Sequence, residues 1–216
     1  MLQVNENDVR FWLGQDMEHN FFFALGFADP ALKEQAQRLH DAYQGALGRN
    51  DLGAAFALVP ASQAFKKTAL AATRARWTGS VYPTFIDHVF REIDWMLVRP
   101  SALASTGGLP TQEEVCAIDR LNSDHAALAA HLLDPGEGAL VDKAHDLHKR
   151  AMQVTAGCAQ AVLPTLLAIS KQVAAEADAL VDALITTKPA HIIHPRLAAH
   201  VQREGQYFLG KLQQIT

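Results

Sequence analysis

The sequence predicts an all-α protein built as a tandem repeat of two four-helix bundles related by a pseudo-twofold axis. Three observations carry that prediction. Apolar residues recur at three- and four-residue spacings, and no stretch shows the strict alternation of a strand. Prolines and capping residues cut the periodic stretches into pieces of ordinary helix length. Finally, PTFIDHVFREIDWM, which starts at Pro83, recurs as PRLAAHVQREGQYFL from Pro195. The two share a proline, His-Val and Arg-Glu in register, at a constant offset of 112 (195 − 83, 200 − 88, 204 − 92).

The first helix is expected over Asp8 to Phe27, with Asn7 or Asp8 as its cap and Val9, Trp12, Leu13, Phe22 and Phe23 on its apolar side. It carries Glu18 and His19. Asp29-Pro30 is a capping residue followed by proline at the first helical position, and opens a second helix to about Leu47. The stretch Gly48 to Gly53 breaks it. A third helix should run from Pro60 or Ser62 to Trp77, closed by Thr78-Gly79. Pro83 opens the fourth, which Arg99-Pro100 should end.

Residues 1–100 are therefore expected to form the first repeat and 111–216 the second. The small, Gly/Pro/Ser-rich segment 101–110 would be a linker. Thr111 and Glu114 have the spacing of a capping box ahead of a helix that carries Asp124 and His125. Asp134-Pro135 repeats Asp29-Pro30, Pro164 opens a helix ending near Thr187, and Pro195 begins the last. Acid-His on the first helix, Asp-Pro at the second and Pro-x4-His-Val-x-Arg-Glu on the fourth recur in the same order. Internal duplication is the economical explanation.

The duplication sorts the ten histidines. Only His19, His88, His125 and His200 occupy repeated positions. His88 with Glu92, and His200 with Glu204, stand four residues apart, so each pair shares a helix face. A histidine from the first helix of each repeat can join the pair from the fourth in a bundle core. Four imidazoles and two carboxylates, His19, His88, Glu92, His125, His200 and Glu204, suit two divalent transition-metal ions: iron first, with manganese or zinc as alternatives. Glu18 and Asp124, adjacent to His19 and His125, point about 100° away on a helix and are expected to orient an imidazole or to substitute as ligands. Trp95 and Tyr207 follow the two glutamates by three residues and should lie near the site. Helical ion pairing alone could account for one His/Glu pair. The doubled pair on an apolar face, where a lone glutamate is costly, argues for metal. His145 and His148 lack counterparts and are expected on a solvated helix face, and His191 and His194 in a loop could line an entrance.

Composition bounds the function. A formal charge of −4 and a pI near 6.2 leave no electrostatic footprint for nucleic acid. No run approaches the roughly 18 apolar residues of a membrane span. Cys116 and Cys158 lie in no C-x-x-C arrangement, so neither a disulfide framework nor a thiolate zinc site is expected. No basic segment followed by an apolar run opens the chain, and a soluble protein of the reducing cytoplasm is the expectation.

FWLGQDMEHN near the start, DHAALAAHLLDP in the middle and the two Pro-x4-His-x3-Glu blocks together resemble the Bacillus cereus metalloprotein-like family, a bacterial domain family of unknown function. The resemblance runs from about Phe11 to Leu212. It implies tandem four-helix bundles with a dimetal centre between them, and His19, His88, Glu92, His125, His200 and Glu204 as its ligands. Gly205-Gln206 stands where the first copy has Ile93-Asp94, which breaks the symmetry of the two halves. The resemblance brings no reaction with it.

The expected protein is thus an oxidoreductase whose dinuclear centre activates oxygen or a peroxide, acting on a small-molecule substrate, with His88 and Glu92 facing His200 and Glu204. Non-enzymatic metal storage, sensing or delivery, and metal-dependent hydrolysis, are the alternatives. The three part on air-dependent absorption, ease of metal release and activity with zinc.

Overall fold

The structure, a computed structural model, describes residues 5–102, 111–187 and 191–215. All named secondary structure among them is helical. None of the described helices is long and apolar enough to cross a membrane. The chain divides into two compact units, with described residues 5–102 in one and 111–215 in the other. Of the expected linker, Ser101 and Ala102 are helical and residues 103–110 lie outside the described residues.

In the N-terminal unit α1 spans Glu6–Gly26. Its cap is Asn5 rather than Asn7 or Asp8. The Asn5 side chain accepts from the Asp8 amide at 3.0 Å while Asp8 accepts from the Asn5 amide at 3.1 Å, so Asp8 is the returning member of a capping box. Helix α2, Pro30–Gly48, starts as expected, with the Asp29 carboxylate taking the Ala31 and Leu32 amides. The stretch expected only as a break holds a short α3, Leu52–Phe56, capped by Asp51. Helix α4 is Val59–Ala75 and α5 is Pro83–Ile93.

The chain does not stop at Arg99-Pro100. A π-helical turn, Asp94–Val98, leads into α6, Arg99–Ala102. Pro100 has no amide hydrogen and its ring would strike the carbonyl one turn back. Widening the turn, with the Arg99 amide bonded to the Asp94 carbonyl, lets the helix continue past it. Phe23, Phe27, Leu32, Phe65, Ile86 and Val89 form the apolar core that joins α1, α2, α4 and α5.

The C-terminal unit comprises α7 (Thr111–Leu132), α8 (Gly138–Gly157), α9 (Leu163–Thr186) and α10 (Pro195–Gln214). Helix α7 packs on α8 and α9, and α9 on α10. Its core is smoother than that of the first unit, drawn from Ala126, Leu133, Leu147, Val173, Leu180 and Leu184. Asp134 does not cap α8 as Asp29 caps α2. With Gly136 following Pro135, its carboxylate takes the Gly136 amide at 2.7 Å and its carbonyl the Glu137 amide, closing a turn before the helix starts. Contrary to expectation, Cys116 and Cys158 form a disulfide, with Cα atoms 5.9 Å apart, joining the first turns of α7 to the end of α8. Residues 42 apart in sequence meet there because α7 and α8 are antiparallel neighbours, a relation that cysteine spacing does not reveal.

Among the described residues, each unit also holds one isolated antiparallel bridge between the end of its first helix and the segment entering its last: Phe27 with Gly79, and Leu133 with His191. Gly79 has φ +140°, and a Cβ there would run into the Gly26 carbonyl oxygen, so only glycine fits.

Two outcomes are expected. Gly79→Ala should lower unfolding free energy by about 1–3 kcal/mol, read by denaturant titration, since it combines a disfavoured φ with a backbone clash. Replacing both cysteines by serine should cost about 3–4 kcal/mol, and reductant should lower the melting temperature of the unreplaced protein but not of the double variant.

Candidate metal centre

In the N-terminal unit three buried side chains converge. His19 comes from the middle of α1, and His88 and Glu92 from successive turns of α5. His19 Nε2 lies 3.1 Å and His88 Nε2 3.9 Å from Glu92 Oε2. Glu92 and His19 are completely buried and His88 is 4% exposed. Pro83 sets this register. It opens α5, and His88 and Glu92 follow on the stripe that also buries Ile86, Val89 and Ile93.

The C-terminal unit repeats the arrangement. His125 of α7 places Nε2 3.3 Å from Glu204 Oε2, and His200 of α10 places Nε2 3.0 Å from Glu204 Oε1. All three are buried. The His125 ring also stacks on Phe208, centroids 6.2 Å apart, one turn beyond Glu204. Two imidazoles therefore meet one carboxylate in each unit, and these buried His/Glu groups could hold metal ions.

Glu18 and Asp124 adjoin His19 and His125 in sequence. Asp124 lies 3.5 Å from Arg120 Nε, one turn back on its own helix. Glu18 is half-buried. Trp95, in the π-helical turn, lies against the Arg91 guanidinium, which pairs with Asp87 at 3.0 Å, and Tyr207 lies against Lys211. His148 is not on a solvated face: its Nδ1 is 2.9 Å from Ser123 Oγ, tying α8 to α7, whereas His145 is exposed. His191 and His194 serve the local backbone. Each Nδ1 accepts an amide two residues on, from Ile193 and Arg196, and the second contact caps α10.

The group that sequence reasoning missed is Asp16. It is fully buried one turn before His19, with Oδ1 4.0 Å from His19 Nδ1. Lys66 Nζ reaches Oδ1 at 2.5 Å, Tyr43 Oη donates to Oδ2 at 2.7 Å, and Ser62 Oγ donates to Oδ1 at 3.1 Å. Burial pushes the Asp16 carboxyl up, but the positive charge on Lys66 and His19 and the hydrogen bonds from Lys66 and Tyr43 outweigh it and hold it below its ordinary value. The same burial, together with Asp16, pushes the Tyr43 phenol up and keeps it neutral. An aspartate eight residues from an expected helix start, on a face with Trp12 and Phe23, gives no local signal, because its partners lie 27 to 50 residues away.

The C-terminal unit has its own buried polar group. Ser170 Oγ of α9 donates to Asp119 Oδ2 at 2.5 Å, and burial outweighs that bond, pushing the Asp119 carboxyl up to about 7.

No protein-family profile matches the chain, and no curated protein matches it. Among solved structures it is similar to an uncharacterized protein from Bacillus cereus G9241, with a TM-score of 0.80 and 20% identity, over 96% of this chain and 88% of that one. At that identity the likeness is one of fold.

The raised Asp119 value fixes a pH dependence. The folded state holds a proton that the unfolded chain releases near the ordinary aspartate value of 3.8, so this carboxyl favours the folded state fully below that pH. The contribution is lost as pH rises toward 7. Asp119→Asn should flatten the fall in stability across this window and be more stable than the parent above pH 7 by a few kcal/mol, measured by denaturant unfolding at several pH values.

Proposed function

We propose that the protein is a dinuclear transition-metal protein, iron first and manganese next, and that it is an oxidoreductase activating oxygen or a peroxide. One observation carries the metal reading: in each unit two buried imidazole Nε2 atoms converge on one buried carboxylate. A carboxylate can balance one imidazolium, and a second would leave an excess buried charge. A divalent ion accepts both neutral imidazoles and the carboxylate together. The donor set fits iron, manganese or zinc better than magnesium or calcium, which take oxygen donors.

The sequence duplication supports reading the two groups as halves of one centre, in two bundles related by a pseudo-twofold axis, as in the Bacillus cereus metalloprotein-like family that the motifs resemble. The similar fold of the Bacillus cereus protein is consistent with this. His19, His88, Glu92, His125, His200 and Glu204 would hold the ions. Bound there, they would supply redox and Lewis-acid chemistry. The chain's own part is to keep the donors dry and to orient them: Glu92 and Glu204 are buried, and Asp16 sets a negative charge on the Nδ1 side of His19. The proposed carboxylate count is low for a ferritin-like store, which sets redox chemistry above storage.

Element analysis of protein purified without added metal tests this. Wild type should carry stoichiometric iron or manganese, and His88→Ala and His200→Ala should each lose at least part of it. A metal-free wild type, or two variants that keep their metal, ends the reading. Anaerobically reduced iron protein should develop a visible absorption band on exposure to air, whereas a hydrolase would ignore air and work with zinc.

A further inference from the structure

The two ligand groups look alike, but their surroundings do not. Asp16 and Asn122 occupy equivalent positions, each three residues before its ligand histidine. Asp16 is charged and anchored, whereas Asn122 is equally buried and neutral, and its amide has no hydrogen-bond partner among the described residues. Counted from the prolines that open α4 and α9, Pro60 and Pro164, Lys66 corresponds to Ser170. Ser170 bonds Asp119, a position equivalent to the apolar Leu13, so among the described residues the second unit shows no ion pair at this place.

Lys66 does more than neutralise Asp16. Its ammonium also lies 3.5 Å from the Val89 carbonyl, next in sequence to His88. It therefore straps α1, which brings His19, to α5, which brings His88 and Glu92. Asp16 in turn sets a fixed negative charge 4.0 Å from His19 Nδ1, on the side of the ring away from Glu92. A carboxylate on that side orients the ring and favours the tautomer that carries its proton on Nδ1, which leaves the Nε2 lone pair directed at the ligand position.

We propose that the Asp16–Lys66 pair positions His19 and the His88/Glu92 pair, and makes the metal position served by His19 bind a divalent ion more tightly than that served by His125. This rests on the dinuclear reading above. The two ions would then be inequivalent, one held in a preorganised set and one in a set that is ordered on loading.

Cobalt(II) titration of the metal-free full chain, followed by visible absorption and calorimetry, tests it. Wild type should show two classes of site of different affinity, and His125→Ala should remove the weaker. Removing one charge alone would leave the other buried and unpaired, so the informative variant is Asp16→Asn with Lys66→Met. It should weaken the tighter class about 10- to 100-fold and the weaker class by less, with helical circular dichroism retained. Tyr43→Phe, which keeps both charges, should weaken the same class several-fold and guards against a double variant that fails to fold. Two equal classes in wild type, or an unchanged tighter class in the folded variants, overturns the proposal and leaves the metal reading standing. A wild type that takes up no cobalt overturns both.

Discussion

The structure is organised by two glutamates that have been taken out of water. Glu92 and Glu204 are completely buried, and a carboxylate in that environment is tolerable only with partners held close. Each unit meets the requirement in the same way, with one imidazole from the same helix a turn earlier and one from the first helix of the unit. That pairing dictates much of the packing. Helix α1 must approach α5, and α7 must approach α10, at the level of these side chains. The prolines that open α5 and α10 set where along each helix that level falls.

Around this shared frame the polar interiors diverge. The first unit uses a charged pair, Asp16 with Lys66, supported by Tyr43 and Ser62, to hold α1 and α5 together. The second relies on Ser170 with a carboxyl pushed toward protonation, and on His148 bonded to Ser123. Buried ion pairs contribute little net stability but are costly to break, so they fix geometry more than they strengthen the fold. Charge close to an imidazole is therefore better understood as fixing the ring's position than as a source of stability.

The periphery shows the same economy. Isolated bridges tie the entry of the last helix of each unit to the exit of the first, through Gly79 in one case and His191 in the other. The disulfide links α7 to α8 only in the C-terminal unit, and the π-helical turn after Glu92 has no counterpart in the continuous α10.

The sequence by itself determined the helical class, most helix starts and the His/Glu pairs, because these rest on short-range physics: proline at a first turn, a side-chain cap, and a spacing of four that stacks two groups on one face. Gly79 was legible as a helix stop, though not as the site of a backbone contact. Only the tertiary structure decided that His19 meets Glu92, that His125 meets Glu204 and that Cys116 reaches Cys158. Each of these joins residues from different helices, whose separation in sequence sets no distance. Asp16 escaped notice for a further reason: a buried aspartate is recognisable only by its partners, and Lys66, Tyr43 and Ser62 arrive at it from two other helices.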